Sequence, residues 1–385
     1  MAIPVTRVNL DHNATTTLRP QVRALLGELL DASLGNPSSV HAAGRAARAL
    51  LDDARAQAAV ALRVREEELA FVGGATEALH LALHGAQRAR GGGLVATSVE
   101  HHAVLGAVRR LAANGATTAL VPVDASGRVD PEAVVAAARA VGAGVVAVQL
   151  ANNELGTVQP VAAVKAALRS AGLQVTLVVD AAQAPGRIPC DMRALGADIA
   201  AFSAHKFGGP VGVGLLWVRS GTPFVPLGDG EGQEHGWRPG TEPVACIAAA
   251  SLALELAQAE QPLAAEAMRA NCLLLWNLLE ASIPGLRLHG PRLHDPERLP
   301  NTLNLGLPGV DGRTLVARLD LAGLECSAGS ACASGSLEPS HVLLACGFAR
   351  DEARAALRLS LGRATSGEDI HMAVDILRRT FSPSR

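Results

Sequence analysis

The sequence predicts an α/β protein: a large domain built on a mainly parallel seven-stranded sheet, and a smaller α+β domain. Three observations carry that prediction. Seven apolar runs of strand length lie between residues 69 and 219 without polar alternation, the pattern of strands buried on both faces. Amphipathic segments separate most of them, which implies βαβ units. After a Gly/Pro-rich stretch at 221–243 the pattern changes to long helical segments and short strands.

Taken in order, "LAFVGG" is the first strand and "TEALHLALHGAQRA" the helix after it. "GLVATSV" leads into "HHAVLGAVRRLAANG", "TTALVPV" into "DPEAVVAAARAVG", and "GVVAVQLA" into "VAAVKAALRSAG". "VTLVVD", "DIAAFSAH" and "GVGLLWVR" complete the seven. "GTPFVPLGDGEGQEHGWRPGTEP" reads as an irregular loop, followed by helical pattern from about 244 to 282. "LRLHG" and "NTLNLGL" are short strand candidates, and helices are expected around 312–322, 339–346 and 367–381. The expected division is a large domain over 16–255 and a small one made of 1–15 and 256–385.

Composition excludes several classes of function. The 385 residues are 49% hydrophobic and 18% charged, which suits a globular chain rather than a disordered one. A formal net charge of -2 supplies no global field for nucleic acid, and the absence of Tyr leaves few stacking platforms. No apolar run reaches the roughly 18 to 20 residues that span a bilayer, so no membrane partner is expected. The start, "MAIPVTRVNLDHN", lacks the layout of a signal peptide, and a cytoplasmic location is expected. Six cysteines (190, 246, 272, 326, 332, 346) without a CxxC pair resemble neither a disulfide framework nor a zinc site. Cys190, Cys246, Cys272 and Cys346 read as buried small hydrophobes.

In an open α/β sheet, ligands bind beyond the carboxyl ends of the strands. Those ends carry Asp180 with Gln183 after it, Ser203 with His205 and Lys206, Asn152 and Asn153, and the turn Gly73-Gly74 before Ala75 and Thr76. The set suits pyridoxal 5'-phosphate: a lysine forms a Schiff base with its aldehyde, and an Asp keeps the pyridine nitrogen protonated. The phosphate is suited to the helix N-terminus at Gly74-Ala75-Thr76, with Ser203 and His205 as further donors. Asn153 or Gln183 is placed to bond the phenolic oxygen, and His101 to stack on the ring. Each residue alone has a plainer reading: Asp180 as a turn or cap residue, Lys206 as a solvated lysine. His101 and His102 as a metal half-site lack supporting spacing, because adjacent side chains point apart. Convergence on one rim favours the cofactor.

"LDHNATTT", "GNPSSVH", "GGATEAL", "VEHHAVL", "NNELGTVQP", "DAAQAPG", "SAHKFGGP", "RPGTEP", "SAGSACASGSLEPS" and "LRLSLGR" follow one another in the order seen in cysteine desulfurases, to which the chain shows a clear resemblance from about residue 8 to about 365. These are class V aminotransferase-like enzymes with the fold type I architecture of pyridoxal phosphate transferases. The resemblance implies that Lys206 binds the cofactor aldehyde and Asp180 its ring nitrogen, with Gln183 and Asn153 at the phenolic oxygen and His101 on the ring. It implies that Ala75, Thr76, Ser203 and His205 surround the phosphate, and that Thr241 reaches the phosphate of the neighbouring subunit in a homodimer. Arg358 and Asn36 are implied to hold the α-carboxylate of L-cysteine. Cys332 is implied to take the sulfur as a persulfide, release L-alanine, and pass the sulfur to an acceptor protein such as an iron–sulfur scaffold.

"SAGSACASGS", small and flexible in composition, suits a mobile loop that carries sulfur from pocket to partner. Cys326, six residues upstream, is the rival to Cys332. The chain departs from the family pattern at Val211, where a cation is common, at His235, where Arg is common, and at His12. A selenocysteine lyase, or another class V lyase or transaminase, is the alternative on the same scaffold. A non-catalytic sulfur-relay protein is a further one, against which Lys206, Asp180, His101 and Cys332 all stand.

Overall fold

The computed structural model describes residues 7–226, 228, 232–307, 309–328 and 338–381. Its centre is a seven-stranded sheet in the spatial order Leu69–Val72, Gly214–Val218, Ile199–Ser203, Thr176–Asp180, Ala143–Gln149, Gly93–Thr97, Thr118–Val121. All neighbours pair in parallel except at Gly214–Val218, which runs antiparallel to both of its partners. The seven strands match the seven apolar runs.

The lack of alternation has the expected cause. Along Ala143–Gln149, Val145 and Ala147 pack against helices Ala75–Arg90 and His102–Ala113, while Val146 and Val148 face the opposite layer. Both faces are covered, so both sets of residues are apolar. The opposite layer includes Ala42–Leu62, Pro131–Val141, Val161–Ser170 and the first half of Val244–Glu280. Two helices without a sequence-level expectation, Pro20–Asp31 and Ala42–Leu62, precede the sheet. The stripe of Ala42–Leu62 is Ala47, Leu51, Ala54, Ala58 and Leu62, so small residues carry the helical period and mute it in the sequence.

A second core forms around an antiparallel sheet ordered Ser327–Ala328, Ala356–Ser360, Thr302–Gly306, Arg287–His289. Val8–Asn9 pairs in parallel with Leu324–Glu325, which ties the N-terminal segment to this unit. The candidate strands "LRLHG" and "NTLNLGL" are present, as are helices Gly312–Leu321, His341–Ala345 and Gly367–Phe381. The strand Ala356–Ser360 was not anticipated, although it carries the "LRLS" of a recognised motif. Among the described cysteines, Cys190, Cys272, Cys326 and Cys346 are buried thiols. Cys246 is only half-buried, a correction to the expectation, because it lies on the helix Val244–Glu280 at the margin of the core. No helix among the described residues is long and apolar enough to cross a membrane.

Candidate active site

A cavity of about 870 Å³ opens at the carboxyl ends of the parallel strands. Ten predicted site residues line it: Ala75, Thr76, His101, Asn153, Asp180, Gln183, Ser203, His205, Lys206 and Arg358. Val211, one of the departures, also lines it and is 77% exposed. Asn36 and Thr241 do not line it; both are exposed, on loops, and the Asn36 side-chain oxygen accepts from the Ser38 amide at 2.8 Å. Cys332 lies outside the described residues.

Local structure explains each placement. Asp180 ends its strand, and its Oδ1 accepts from the Ala182 amide at 3.0 Å, so the carboxylate is pinned beside the cavity. Burial pushes the Asp180 carboxyl above its usual range, opposed by His101, by the Ala182 amide and by Lys206. A carboxyl desolvated in this way is satisfied by a cation or a strong donor in the cavity. Lys206 closes a single 3-10 turn directly after the strand Ile199–Ser203. Its Nζ donates to the carbonyls of Asn13 at 2.6 Å and Ala14 at 2.8 Å. His205 is pushed down to about 4 by burial and by Lys206, so its ring is neutral, with Nδ1 at 3.1 Å from the Thr15 hydroxyl.

Gly74 takes φ 155° as N-cap of Ala75–Arg90 and makes no side-chain cap bond. The first amides of that helix are therefore left for a ligand, next to Thr76 and to Ser203, which is 4% exposed. A Cβ on Gly74 would make only an ordinary contact, 3.6 Å from the Ser203 hydroxyl, so it is the φ rather than space that calls for glycine here. His101 caps the helix His102–Ala113: its Nδ1 accepts from the Ala103 amide at 3.1 Å, which leaves the ring proton on Nε2.

Gln183 donates through Nε2 to the Asn13 carbonyl at 3.1 Å and accepts at Oε1 from Arg187. Arg187 also holds the carbonyls of His12 at 3.0 Å and Lys206 at 3.3 Å. Arg358, with 0% exposure, sits on the strand Ala356–Ser360 and bonds Asp11, Ser327 and the Asn153 carbonyl. Asn13, Ala14, Asp11 and Arg187 thus belong to the site although they were not singled out. The first three fall within the quoted "LDHNATTT" and the last follows "DAAQAPG", so motif membership was the available signal. His235 bonds the Leu69 carbonyl at 3.1 Å and lies away from the cavity residues. His12 is buried, and burial together with Arg187 pushes it down to about 4.

A lysine, a desolvated carboxyl and an uncapped helix N-terminus around one cavity, at the carboxyl ends of a parallel sheet, are the working parts of an α/β enzyme. The chain belongs to the class V aminotransferase family, whose model matches residues 8–372. It is 37% identical over 381 residues to a "Cysteine desulfurase IscS" of Dictyoglomus turgidum, covering 98% of this chain and 95% of that relative. Among solved structures, a "NIFS-LIKE PROTEIN" aligns with TM-score 0.90 and 34% identity, covering 98% of this chain and 100% of that one. "SspA in complex with cysteine" aligns with TM-score 0.78 and 28% identity over 92% of this chain and 98% of that one.

Proposed function

We propose that this protein is a pyridoxal phosphate-dependent cysteine desulfurase that converts L-cysteine to L-alanine and leaves the sulfur as a persulfide on Cys332. The observation that carries the reading is that Lys206, Asp180 and Arg358 line one cavity, in a chain whose relatives bear that name over nearly their full length. The donor set fits the cofactor: Lys206 for its aldehyde, Asp180 for its ring nitrogen, Gln183 and Asn153 for its phenolic oxygen, His101 for its face. The amides of Ala75 and Thr76, the Ser203 hydroxyl and the His205 ring suit its phosphate. When bound, the cofactor supplies an electron sink for the substrate.

The chain's own residues do the rest. Arg358 orients the α-carboxylate of L-cysteine, a task that suits a guanidinium because it offers paired donors in a plane. Asn36 is assigned to the same carboxylate and Thr241 to the phosphate across a homodimer interface, where an exposed loop can reach a second copy. The ring proton on His101 Nε2 is positioned for transfer at the substrate. The Cys332 thiolate attacks the substrate sulfur; the carbon–sulfur bond breaks, a sulfur–sulfur bond forms, and the remaining carbon skeleton takes up a proton as L-alanine. The persulfide then passes to an acceptor protein, such as an iron–sulfur scaffold, in a cytoplasm that keeps thiols reduced. Incubation with pyridoxal phosphate and L-cysteine should release L-alanine and, with a reductant, sulfide. Absence of both products would end this reading, and sedimentation as an active monomer would end the dimer.

A further inference from the structure

We infer that Asp11 is an affinity-setting residue of the substrate site, a built-in carboxylate that shares Arg358 with the α-carboxylate of the amino acid and keeps substrate and product from binding too tightly. The inference rests on the desulfurase reading above and deepens it. Arg358 is completely buried, while its partner Asp11 keeps a side chain that is 24% exposed. Arg358 Nη2 donates to Asp11 Oδ1 at 2.6 Å and to the Ser327 hydroxyl at 3.1 Å, which uses both of its hydrogens. Nη1 donates to the Asn153 carbonyl at 3.2 Å. Two N–H bonds of the five are left, one on Nη1 and one on Nε, and Nε is buried with no hydrogen-bond partner among the described residues.

Arg358 lines the cavity with two N–H bonds still to give, one on Nη1 and one on the partnerless Nε, so its guanidinium has donor capacity left for an acceptor that binds there. That acceptor meets a guanidinium already neutralised by Asp11. Two carboxylates on one guanidinium repel each other, and in a partly enclosed site the repulsion is weakly screened. The backbone of Asp11 is anchored: its amide donates to the Asn9 side-chain oxygen at 2.8 Å, and it bridges to Ser360 on Arg358's own strand. The same segment supplies the Asn13 and Ala14 carbonyls that hold Lys206, so the acid is built into the wall of the site.

The test is spectrophotometric titration of the pyridoxal phosphate-loaded protein with two probes, L-alanine and the carboxylate-free L-alaninamide. Asp11→Asn keeps an oxygen acceptor for Nη2 and removes the charge. It is expected to tighten L-alanine binding about fivefold or more while L-alaninamide stays within about twofold. Asp11→Ser serves if the Asn variant does not fold, with the same expectation. Unchanged or weaker L-alanine binding, in a protein whose wild type turns over L-cysteine, overturns the role of Asp11 and leaves the desulfurase reading standing. Equal tightening of both probes also overturns it, because the gain would not depend on the carboxylate. A wild type that binds neither probe and turns over no L-cysteine removes both the reading and the inference.

Discussion

Lys206 Nζ lies 2.6 Å from the main-chain carbonyl of Asn13, a residue 193 positions away in sequence. The N-terminal segment therefore crosses from its pairing beside Leu324–Glu325 into the cavity and cradles the lysine. Both carbonyls accept hydrogen bonds from the Lys206 amine and hold it at the cavity wall.

Lys206→Ala should abolish turnover of L-cysteine, because no other amine lines the cavity among the described residues. The variant should fold, since Lys206 is only half-buried and its partners are main-chain carbonyls. Alanine release measured on refolding-competent protein checks this. Turnover comparable to wild type would remove Lys206 from the mechanism.

Arg358→Ala should weaken L-cysteine binding by about 2 to 4 kcal/mol, the range for removing one partner of a desolvated charge pair. It also strips Asp11 of its cation, which adds repulsion to the lost attraction. The cofactor absorbance without substrate should be unchanged. An unaltered KM for L-cysteine would contradict the role.

The two rival cysteines, Cys326 and Cys332, should separate cleanly. Burial, with Asp11 next in effect, pushes the Cys326 thiol up to about 12, and the residue is 9% exposed. A thiol of that kind holds almost no thiolate at neutral pH. Cys326→Ala should keep most activity. Cys332→Ala should keep the yellow colour of bound cofactor yet release little alanine or sulfide and carry no persulfide. Intact-mass analysis of wild type after L-cysteine should show one added sulfur mapped to Cys332; mapping to Cys326 would reverse the assignment.

Glu100 should give the empty protein a measurable pH dependence. Its Oε1 accepts from the Thr97 hydroxyl at 2.7 Å and the Gln149 amide at 2.9 Å, while Oε2 is buried without a partner among the described residues. Burial, assisted by Asp180, pushes it up to about 8 against those two bonds. Because the folded value lies above the unfolded one, this contribution to stability is fully present below about 4.5. It declines as pH rises towards about 8, by up to about 1.4 kcal/mol per pH unit, and is flat beyond. Asp180 and Glu154 are raised by burial with the same sign, so the variant must be compared with wild type rather than read alone. Urea denaturation of cofactor-free Glu100→Gln should show a shallower decline over that window. An equally steep decline would acquit Glu100.

By itself the sequence determined the seven-stranded sheet, the strand ends that bear Asp180 and Lys206, and the family, through ordered motifs that span the chain. Those features are legible because burial on both faces forces unbroken apolar runs, and because strand-end chemistry sits next to its strand in the sequence. Only the tertiary structure decided what lies opposite. Asn13 and Ala14 meet Lys206, Arg187 meets the His12 carbonyl, and Asp11 meets Arg358 across 347 positions. The strand Ala356–Ser360 that presents Arg358 was also hidden, because its register is set by pairing with Thr302–Gly306 and Ser327–Ala328 rather than by its own pattern. Hydrogen bonds and charge pairs of this kind act over about 3 Å in space, and nothing in local periodicity encodes which distant residue closes that gap.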